Sequence, residues 1–221
     1  MMTMYLAVVL FISTLSFDKS AIAAEGKIHL SFQSASGSIP LVTWKDMRDR
    51  DLEKQDEDFS CGSAAVATIV RSFYGIDVYE RDILEEVIRL GDDGTASFHD
   101  LQQAVKKFGF RGVGISLSFA KLRTLKVPAV AYLKHQGLDH FSVIRGIGPD
   151  GTVWLGDPSW GNRTFSRHQF LEKWETREDE TLTGKILLII PEDESNVELH
   201  HTFFRTPELN RTAIRLLTLR P

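Results

Sequence analysis

Residues 55–75, QDEDFSCGSAAVATIVRSFYG, place an acidic loop directly before an apolar segment. From Ser60 onward the apolar residues lie nearly all round a helical wheel, which predicts a buried helix. Gly75 is suited to end this helix, because glycine readily adopts the left-handed conformation found just past helix C-termini. Cys61, the only cysteine of the chain, therefore stands at the N-terminal end of a buried helix.

A cysteine in that position favours thiol chemistry. The thiolate is the nucleophilic form of the side chain, and the partial positive charge at a helix N-terminus stabilises it. Gly62 beside it would allow a substrate backbone to approach closely. A lone free cysteine is more often a small buried apolar residue, so the position at the start of the helix is what favours a reactive one.

Composition is that of a globular protein and argues against several classes of function. A chain of 221 residues, 43% hydrophobic and 25% charged, suits one substantial domain with extensions. The formal net charge of -4 gives no basic bias, so no nucleic-acid partner is predicted. One cysteine cannot form an intrachain disulfide. The His, Cys, Asp and Glu residues show no spacing typical of metal ligands, so no metal is predicted, and no other cofactor is predicted either.

The first two dozen residues have the pattern of an export signal. The apolar run Tyr5–Phe17 is shorter than the roughly 20 residues that a membrane-spanning helix needs. The small residues that follow, at 21–24, fit cleavage after Ala23 or Ala24. No Lys or Arg precedes the run, which leaves an uncleaved anchor or a buried helix as alternatives. We predict a signal peptide at residues 1–24 and a periplasmic or secreted location.

Beyond residue 24 the periodicity changes along the chain from helical to strand-like. A lead-in segment at residues 25–50, with an alternating stretch that could form an edge strand, precedes this change. Helices are predicted at 60–75, 79–90, 97–109, 118–125 and 166–174, and strands at 129–133, 141–144, 152–155 and 185–190. Helices followed by antiparallel strands indicate an α+β fold. Residues 193–221 form an extension of unassigned role, with an amphipathic piece at 209–219.

A cysteine nucleophile needs a base, and the chain offers seven histidines. His140 stands out because it lies at the entry of a predicted strand. Asp157 ends the next strand, and antiparallel neighbours joined by the turn at 149–151 bring the start of one beside the end of the other. Asp157 could then accept a hydrogen bond from the imidazole and fix its tautomer. Taken alone, an aspartate before a proline more often marks a turn.

These two regions together resemble the C39 family of cysteine peptidases. Residues 55–68, followed by Phe-Tyr-Gly at 73–75, resemble the opening motif of that family. Residues 139–143 and the segment GTVWLGDP at 151–158 resemble its second motif, and the helix at 165–174 matches one that usually follows. The resemblance implies a papain-like fold, with N-terminal helices packed on an antiparallel sheet, for a peptidase domain at 51–192.

The same resemblance implies a role for each matching residue. It makes Cys61 the nucleophile, His140 the base and Asp157 the residue that orients the base. Gln55, which taken alone is an unremarkable residue of a charged segment, would join the backbone N–H of Cys61 in the oxyanion hole.

Known C39 domains often precede ABC exporters and cut leader peptides after paired glycines. This chain has no G-x-x-x-x-G-K-[ST] phosphate loop, so no ATP partner is predicted. On residues 59–65 it is more similar to free-standing exported members linked to bacterial secretion systems, including those for functional amyloid fibres. The resemblance therefore implies a peptide or protein substrate, such as a secreted fibre subunit or a leader peptide, and contact with an outer-membrane secretion component.

The resulting prediction is an exported cysteine endopeptidase, with two alternatives. One is a non-catalytic C39-like module that only grips its substrate, and the presence of all four candidate residues argues against it. The other is a papain-like acyltransferase or amidase, in which an amine can replace water as the acceptor. The same four residues would serve that reaction, so the sequence leaves this alternative open.

Overall fold

The computed structural model describes residues 27–32, 35–89, 96–135, 137–179 and 181–204. The predicted signal and the amphipathic piece at 209–219 lie outside these residues. The chain divides into residues 1–43 and a unit that begins at Trp44. In the first unit, strands β1 (Lys27–Phe32) and β2 (Ala35–Pro40) pair as an antiparallel hairpin, where the sequence allowed either an edge strand or a loose lead-in.

The second unit contains six helices and a six-stranded sheet within the described part of the chain. The helices are α1 (Trp44–Arg48), α2 (Cys61–Ser72), α3 (Glu80–Arg89), α4 (Phe98–Ala104), α5 (Phe119–Leu122) and α6 (Arg167–Trp174). The strands are β3 (Phe110–Leu117), β4 (Ala129–His135), β5 (Leu138–Ile147), β6 (Val153–Asp157), β7 (Gly161–Phe165) and β8 (Gly184–Pro191). Among the described helices, none is long and apolar enough to cross a membrane.

All strands of this sheet are antiparallel, in the order β3-β8-β4-β5-β6-β7. Helices cover both faces of the sheet. Alternate residues of each strand point to opposite sides, so apolar side chains on both faces are available to pack against helices. On one side α2, α3 and α4 pack against residues such as Val130, Val143 and Leu187. On the other, α5 and α6 pack against residues such as Leu155 and Ile186. The α+β prediction is thus confirmed, with a second layer of helices added.

Three of the five predicted helix starts are confirmed by their capping bonds, although the helix predicted at 118–125 ends earlier, at Leu122. Ser97, Ser118 and Ser166 each accept a hydrogen bond from a first-turn N–H group, and Ser97 and Ser166 form complete capping boxes. The third predicted helix is α4 continued by a 3₁₀ turn at Val105–Phe108, and Gly109 ends it with a φ of 78°. Local side-chain chemistry therefore sets these boundaries.

Strand β3 was not predicted, because glycines at 112 and 114 interrupt its apolar alternation. Gly112 is required by packing: a Cβ there would lie 2.8 Å from Cγ and 2.9 Å from Cα of Gln102 on α4. Strand β7 was also missed, since its sequence GNRTF is polar and belongs to an edge strand.

Residues 197–203, which we term the C-terminal strap, run back over the end of α2. The backbone N–H groups of Glu198 and His200 donate to the carbonyls of Tyr74 (3.2 Å) and Phe73 (2.9 Å). Phe203 is 1% exposed, and the Arg145 guanidinium lies 4.4 Å from its ring centroid. The described part of the predicted C-terminal extension is therefore packed into the second unit.

Candidate active site

Cys61 is the first residue of α2, and the helix is buried from there to Val70. Ser60 precedes it but does not cap the helix, since its hydroxyl donates to the Glu57 carbonyl at 2.8 Å. The first-turn N–H groups therefore lack a cap from this side chain. A Cβ at Gly62 would lie 3.1 Å from side-chain atoms of both Leu101 and Phe141, so core packing favours glycine at this position. Close approach of a substrate backbone at Gly62 stays a prediction.

His140 and Asp157 are brought together by the pairing of β5 with β6, as the sequence predicted. Imidazole Nε2 lies 2.9 Å from Oδ2 of Asp157. The same oxygen accepts a hydrogen bond from the hydroxyl of Ser142 at 2.7 Å. The other oxygen, Oδ1, accepts the backbone N–H groups of Ser159 (2.9 Å) and Trp160 (3.0 Å). Asp157 is only 3% exposed, so these bonds satisfy a buried carboxylate.

The Cys61 thiol lies close enough to the His140 side chain to contribute, with Asp157, to the raised pKa of that imidazole. Because Nε2 already faces Asp157, Nδ1 is the ring nitrogen left for the sulfur. Thiol, imidazole and carboxylate therefore follow one another where α2 meets β5 and β6, and we term this arrangement the contact chain.

The electrostatics of the pair favour a charged imidazole. Burial alone would lower the pKa of His140, but hydrogen bonds to Asp157 and Cys61 and the charges of both raise it from 6.5 to about 9. Burial alone would raise the pKa of Asp157. The bond and charge of His140 outweigh this, with help from the Ser142 hydroxyl and the Trp160 N–H, and hold the pKa of Asp157 below its usual value.

Gln55 is tied to the turn that follows Asp157. Its backbone N–H donates to the Pro158 carbonyl at 3.3 Å, and its side-chain oxygen accepts the Ser159 hydroxyl at 2.6 Å. The side-chain Nε2 donates to the Glu57 carbonyl at 2.9 Å. An amide nitrogen carries two hydrogens, so one donor remains beyond the bond to Glu57.

The segment around Gln55, residues 49–60, we term the lead-in loop. It is held to the helices by side chains: the Glu53 N–H donates to the Thr68 hydroxyl and the Asp56 N–H to a carboxylate oxygen of Glu80, both at 3.0 Å. Thr68 lies on α2, the helix that begins at Cys61, and Glu80 is buried at the start of α3. The structure therefore brings all four predicted site residues into one connected region.

Sequence reasoning missed the residues that support these four. Ser142 could have been found, because it lies two residues after His140 on the same strand and so faces the same side. Trp160 could not, since its ring approaches His140 (5.5 Å between centroids) through a turn that has no periodicity.

Among the residues that the structure describes, no group of three or more His, Cys, Asp or Glu side chains is arranged to hold a metal ion.

The fold and this contact chain define the class of protein, an α+β domain with a papain-like fold and a cysteine, a histidine and an aspartate side by side. Residues 49–189 match the sequence model of the Peptidase C39 family, and the chain belongs to that family. The family prediction made from the two motifs is therefore confirmed.

Similar proteins include two relatives named "Probable functional amyloid protease FapD". The one from Pseudomonas fluorescens is 33% identical over 135 residues, which cover 59% of this chain and 59% of the relative. The one from Pseudomonas aeruginosa is 30% identical over the same length and the same shares. The match thus spans well under two-thirds of the length of either relative.

Two solved structures establish the fold. The peptidase domain of Streptococcus ComA, described as a bifunctional ABC transporter of a quorum-sensing pathway, superposes with a TM-score of 0.53 at 21% identity, over 63% of this chain and 97% of that domain. A double-glycine motif protease from an AMS/PCAT transporter, solved with its leader peptide, gives 0.50 at 20% identity, over 63% and 90%. The predicted papain-like fold is confirmed.

Proposed function

We propose that this protein is an exported cysteine endopeptidase that cuts a secreted protein or leader peptide through an acyl-enzyme on Cys61. The observation that carries the proposal is the contact chain from the thiol of Cys61 through His140 to Asp157. It pairs a nucleophile with a base, and the base with a carboxylate that orients it.

In the proposed reaction, His140 already holds the proton as an imidazolium, and the Cys61 thiolate attacks the carbonyl carbon of the scissile peptide bond. The oxyanion that forms is stabilised by the backbone N–H of Cys61 and the amide of Gln55. The imidazolium of His140 then donates its proton to the leaving amine as the C–N bond breaks. The acylated cysteine and a free amine product result.

Deacylation uses the same groups with water as the second nucleophile. Neutral His140 accepts a proton from water while the oxygen attacks the thioester carbon, and the sulfur leaves as a thiolate. Asp157 stays ionised throughout, because its role is to hold the ring and to stabilise the imidazolium. The buried serine and backbone donors around it support that role.

The proposed substrate and location come from the relatives and the N-terminal sequence. Relatives named as functional amyloid proteases favour a secreted fibre subunit or a leader peptide as substrate, and an outer-membrane secretion component as a partner. The apolar run before Ala23 favours export to the periplasm or beyond. Cleavage after glycine-rich sequences is part of the same proposal.

Reactivity of the thiol tests the chemistry without a known substrate. A free thiol with a pKa of about 8.5 is only about 0.3% ionised at pH 6. Cys61 paired with His140 should react with iodoacetamide at pH 6 far faster than glutathione does, and this is the single cysteine to follow by mass spectrometry. A rate no faster than that of the free thiol would contradict the peptidase proposal and favour the non-catalytic binding module.

Substrate identity is tested by comparing strains that carry wild-type protein or Cys61→Ala. Proteins outside the cytoplasm are compared by N-terminal mass spectrometry, and an uncut protein that accumulates only in the variant strain is the substrate. Purified protein is then given that substrate with and without an added amine. Products bearing the amine in place of water would assign the acyltransferase alternative.

A further inference from the structure

Arg145 lies on β5, the strand that carries His140, and a β-bulge sets its direction. The pairing of β5 with β6 shifts between Ile144 and Gly146, so Arg145 is an extra residue with no partner opposite it on β6. A bulge of this kind re-aims one side chain out of the regular alternation of the strand. The arginine stem passes close to Gly156 of β6, where a Cβ would lie 3.2 Å from its Cδ. Glycine at that position therefore leaves room for the arginine.

The guanidinium of Arg145 ends between two segments that are far apart in the sequence. Towards the lead-in loop, Nη1 donates to the Arg50 carbonyl at 3.1 Å, and Nη2 lies 3.4 Å from Oδ2 of Asp51. Towards the C-terminal strap, Nε donates to the Phe203 carbonyl at 3.2 Å. Asn162 on β7 accepts a further bond from Nη1, and its Nδ2 donates to the same Arg50 carbonyl at 2.9 Å. The arginine side chain is only 11% exposed, so these partners enclose a nearly buried cation.

The lead-in loop bends sharply where Arg145 holds it. Asp51 has a φ of 54°, and among the residues that the structure describes it is the one non-glycine residue with a positive φ. Aspartate tolerates this left-handed conformation better than most residues, but the conformation still costs free energy. It persists where the surrounding contacts hold it in place. The next residue, Leu52, packs beside the arginine stem, since its Cδ1 would lie 3.1 Å from a Cβ at Gly156.

We propose that Arg145 is a positioning residue, which holds the lead-in loop in the bend from which Gln55 reaches the oxyanion. The inference rests on the proposed function, because it explains how the loop side of the same site is placed. Strand β5 carries both His140 and Arg145, so one rigid element sets the base and anchors the loop that carries the oxyanion donor. Precise placement matters here, because a displacement of about 1 Å can cost roughly 100-fold in rate.

Two reagents separate placement of the oxyanion donor from reactivity of the thiol. With p-nitrophenyl acetate, the Cys61 thiolate adds to the ester carbonyl through a tetrahedral oxyanion, the C–O bond breaks, p-nitrophenolate leaves and a thioester remains. With iodoacetamide, the thiolate displaces iodide and no oxyanion forms. Both rates are measured on full-length protein at one pH, with Cys61→Ala as the background. The ratio of acylation to alkylation then reports the oxyanion donors.

Arg145→Gln removes the cation, and Arg145→Lys keeps the charge without the planar fork. We expect the ratio to fall about tenfold in Arg145→Gln and about fivefold in Arg145→Lys, at unchanged alkylation, since one ammonium cannot reproduce the geometry of the guanidinium contacts. In the Gln55→Ala background, Arg145→Gln should lower the ratio by less than about twofold more, because both substitutions remove the same effect. Arg123→Gln is the matched control and should leave the ratio unchanged, because Arg123 also donates to a backbone carbonyl, that of Pro149 at 3.0 Å, away from the loop.

Three results would overturn the inference: an unchanged ratio in Arg145→Gln, a parallel fall of both rates, or the full loss in the Gln55→Ala background. If Arg145→Gln does not fold, Asp51→Ala decides the question, because that carboxylate is 49% exposed. Its ratio should fall about fivefold, since alanine loses the ion pair and disfavours a positive φ, and no change would again overturn the inference. These results leave the proposed function intact, whereas slow alkylation of Cys61 at pH 6 in wild-type protein would remove the proposed function itself.

Discussion

The two sides of the candidate site are held by different kinds of structure. His140 and Asp157 lie on neighbouring strands, whose backbone ladder and buried surroundings fix them. Gln55 lies on the lead-in loop, which has no regular secondary structure and is held by isolated hydrogen bonds, one of them from its own backbone N–H to Pro158. Substitutions on the strand side should therefore change both the chemistry and the stability of the fold. On the loop side, each hydrogen bond contributes only about 1 kcal/mol to the free energy of unfolding.

The largest effect is expected on the strand side, from His140→Ala. Removing the base should lower peptide hydrolysis by about 1,000-fold or more, since general acid–base catalysis contributes roughly 10²–10⁴-fold. Alkylation of Cys61 at pH 6 should also fall by at least about 100-fold, because the thiol loses the cation that favours its ionisation. The measurement is the rate of iodoacetamide labelling, with the surface substitution His168→Ala as control. Equal labelling of both variants would contradict the pairing of thiol and imidazole.

Asp157→Asn should remove a pH dependence of stability. Because the pKa of folded His140 is raised from 6.5 to about 9, the stabilisation is fully present below 6.5 and is lost as pH rises through about 9. The shift corresponds to at most about 3 kcal/mol. Urea unfolding of wild-type protein, measured with the thiol blocked and unblocked, should show the midpoint fall across this window. With the thiol blocked, which removes the contribution of Cys61, Asp157→Asn should be nearly flat in this window, and a parallel fall would argue against the ion pair.

The loop side should show the reverse behaviour in Gln55→Ala. Loss of an oxyanion donor typically costs about 100-fold or more in turnover, while alkylation forms no oxyanion and should keep its wild-type rate. The free energy of unfolding should change by less than about 1 kcal/mol. Hydrolysis and alkylation are measured on the same preparation. If both rates fall together, Gln55 supports the thiol rather than the oxyanion.

The smallest effect is expected from Ser159→Ala, which affects the loop side only indirectly, through the side chain of Gln55. The Ser159 hydroxyl donates to the side-chain oxygen of Gln55, while its backbone N–H to Asp157 is kept in the variant. Turnover should fall about fivefold, the equivalent of roughly 1 kcal/mol, with an unchanged pH profile. A shifted pH profile would show that Ser159 acts on the His140–Asp157 pair instead.

The sequence predicted the strands and helices around the candidate site better than its turns and loops. The strand entry at His140 and the strand end at Asp157 follow from apolar periodicity and one turn, and capping residues mark the helices. Strand β3 escaped prediction, because the need for Gly112 arises from Gln102 on another element. The same holds for Trp160, whose contact with His140 depends on the fold of the turn rather than on any local pattern.

The position of Gln55 shows the limit on the loop side. Its role was implied by family resemblance, and nothing in a charged segment predicts which carbonyl its amide will meet. The structure gives that amide a partner, the Glu57 carbonyl, on the same loop. Contacts made by one flexible side chain with backbone depend on details of loop conformation that periodicity and propensity do not encode.

The C-terminal strap has a consequence for where this domain ends. The family match stops at residue 189, yet Phe203, beyond it, is buried against Phe73. A chain cut at the end of the family match would keep every candidate site residue and expose the aromatic side chains behind the nucleophile helix. The family match and the packed part of the chain therefore end at different residues, and we expect a fragment that ends after Phe203 to be more stable than one that ends at residue 189.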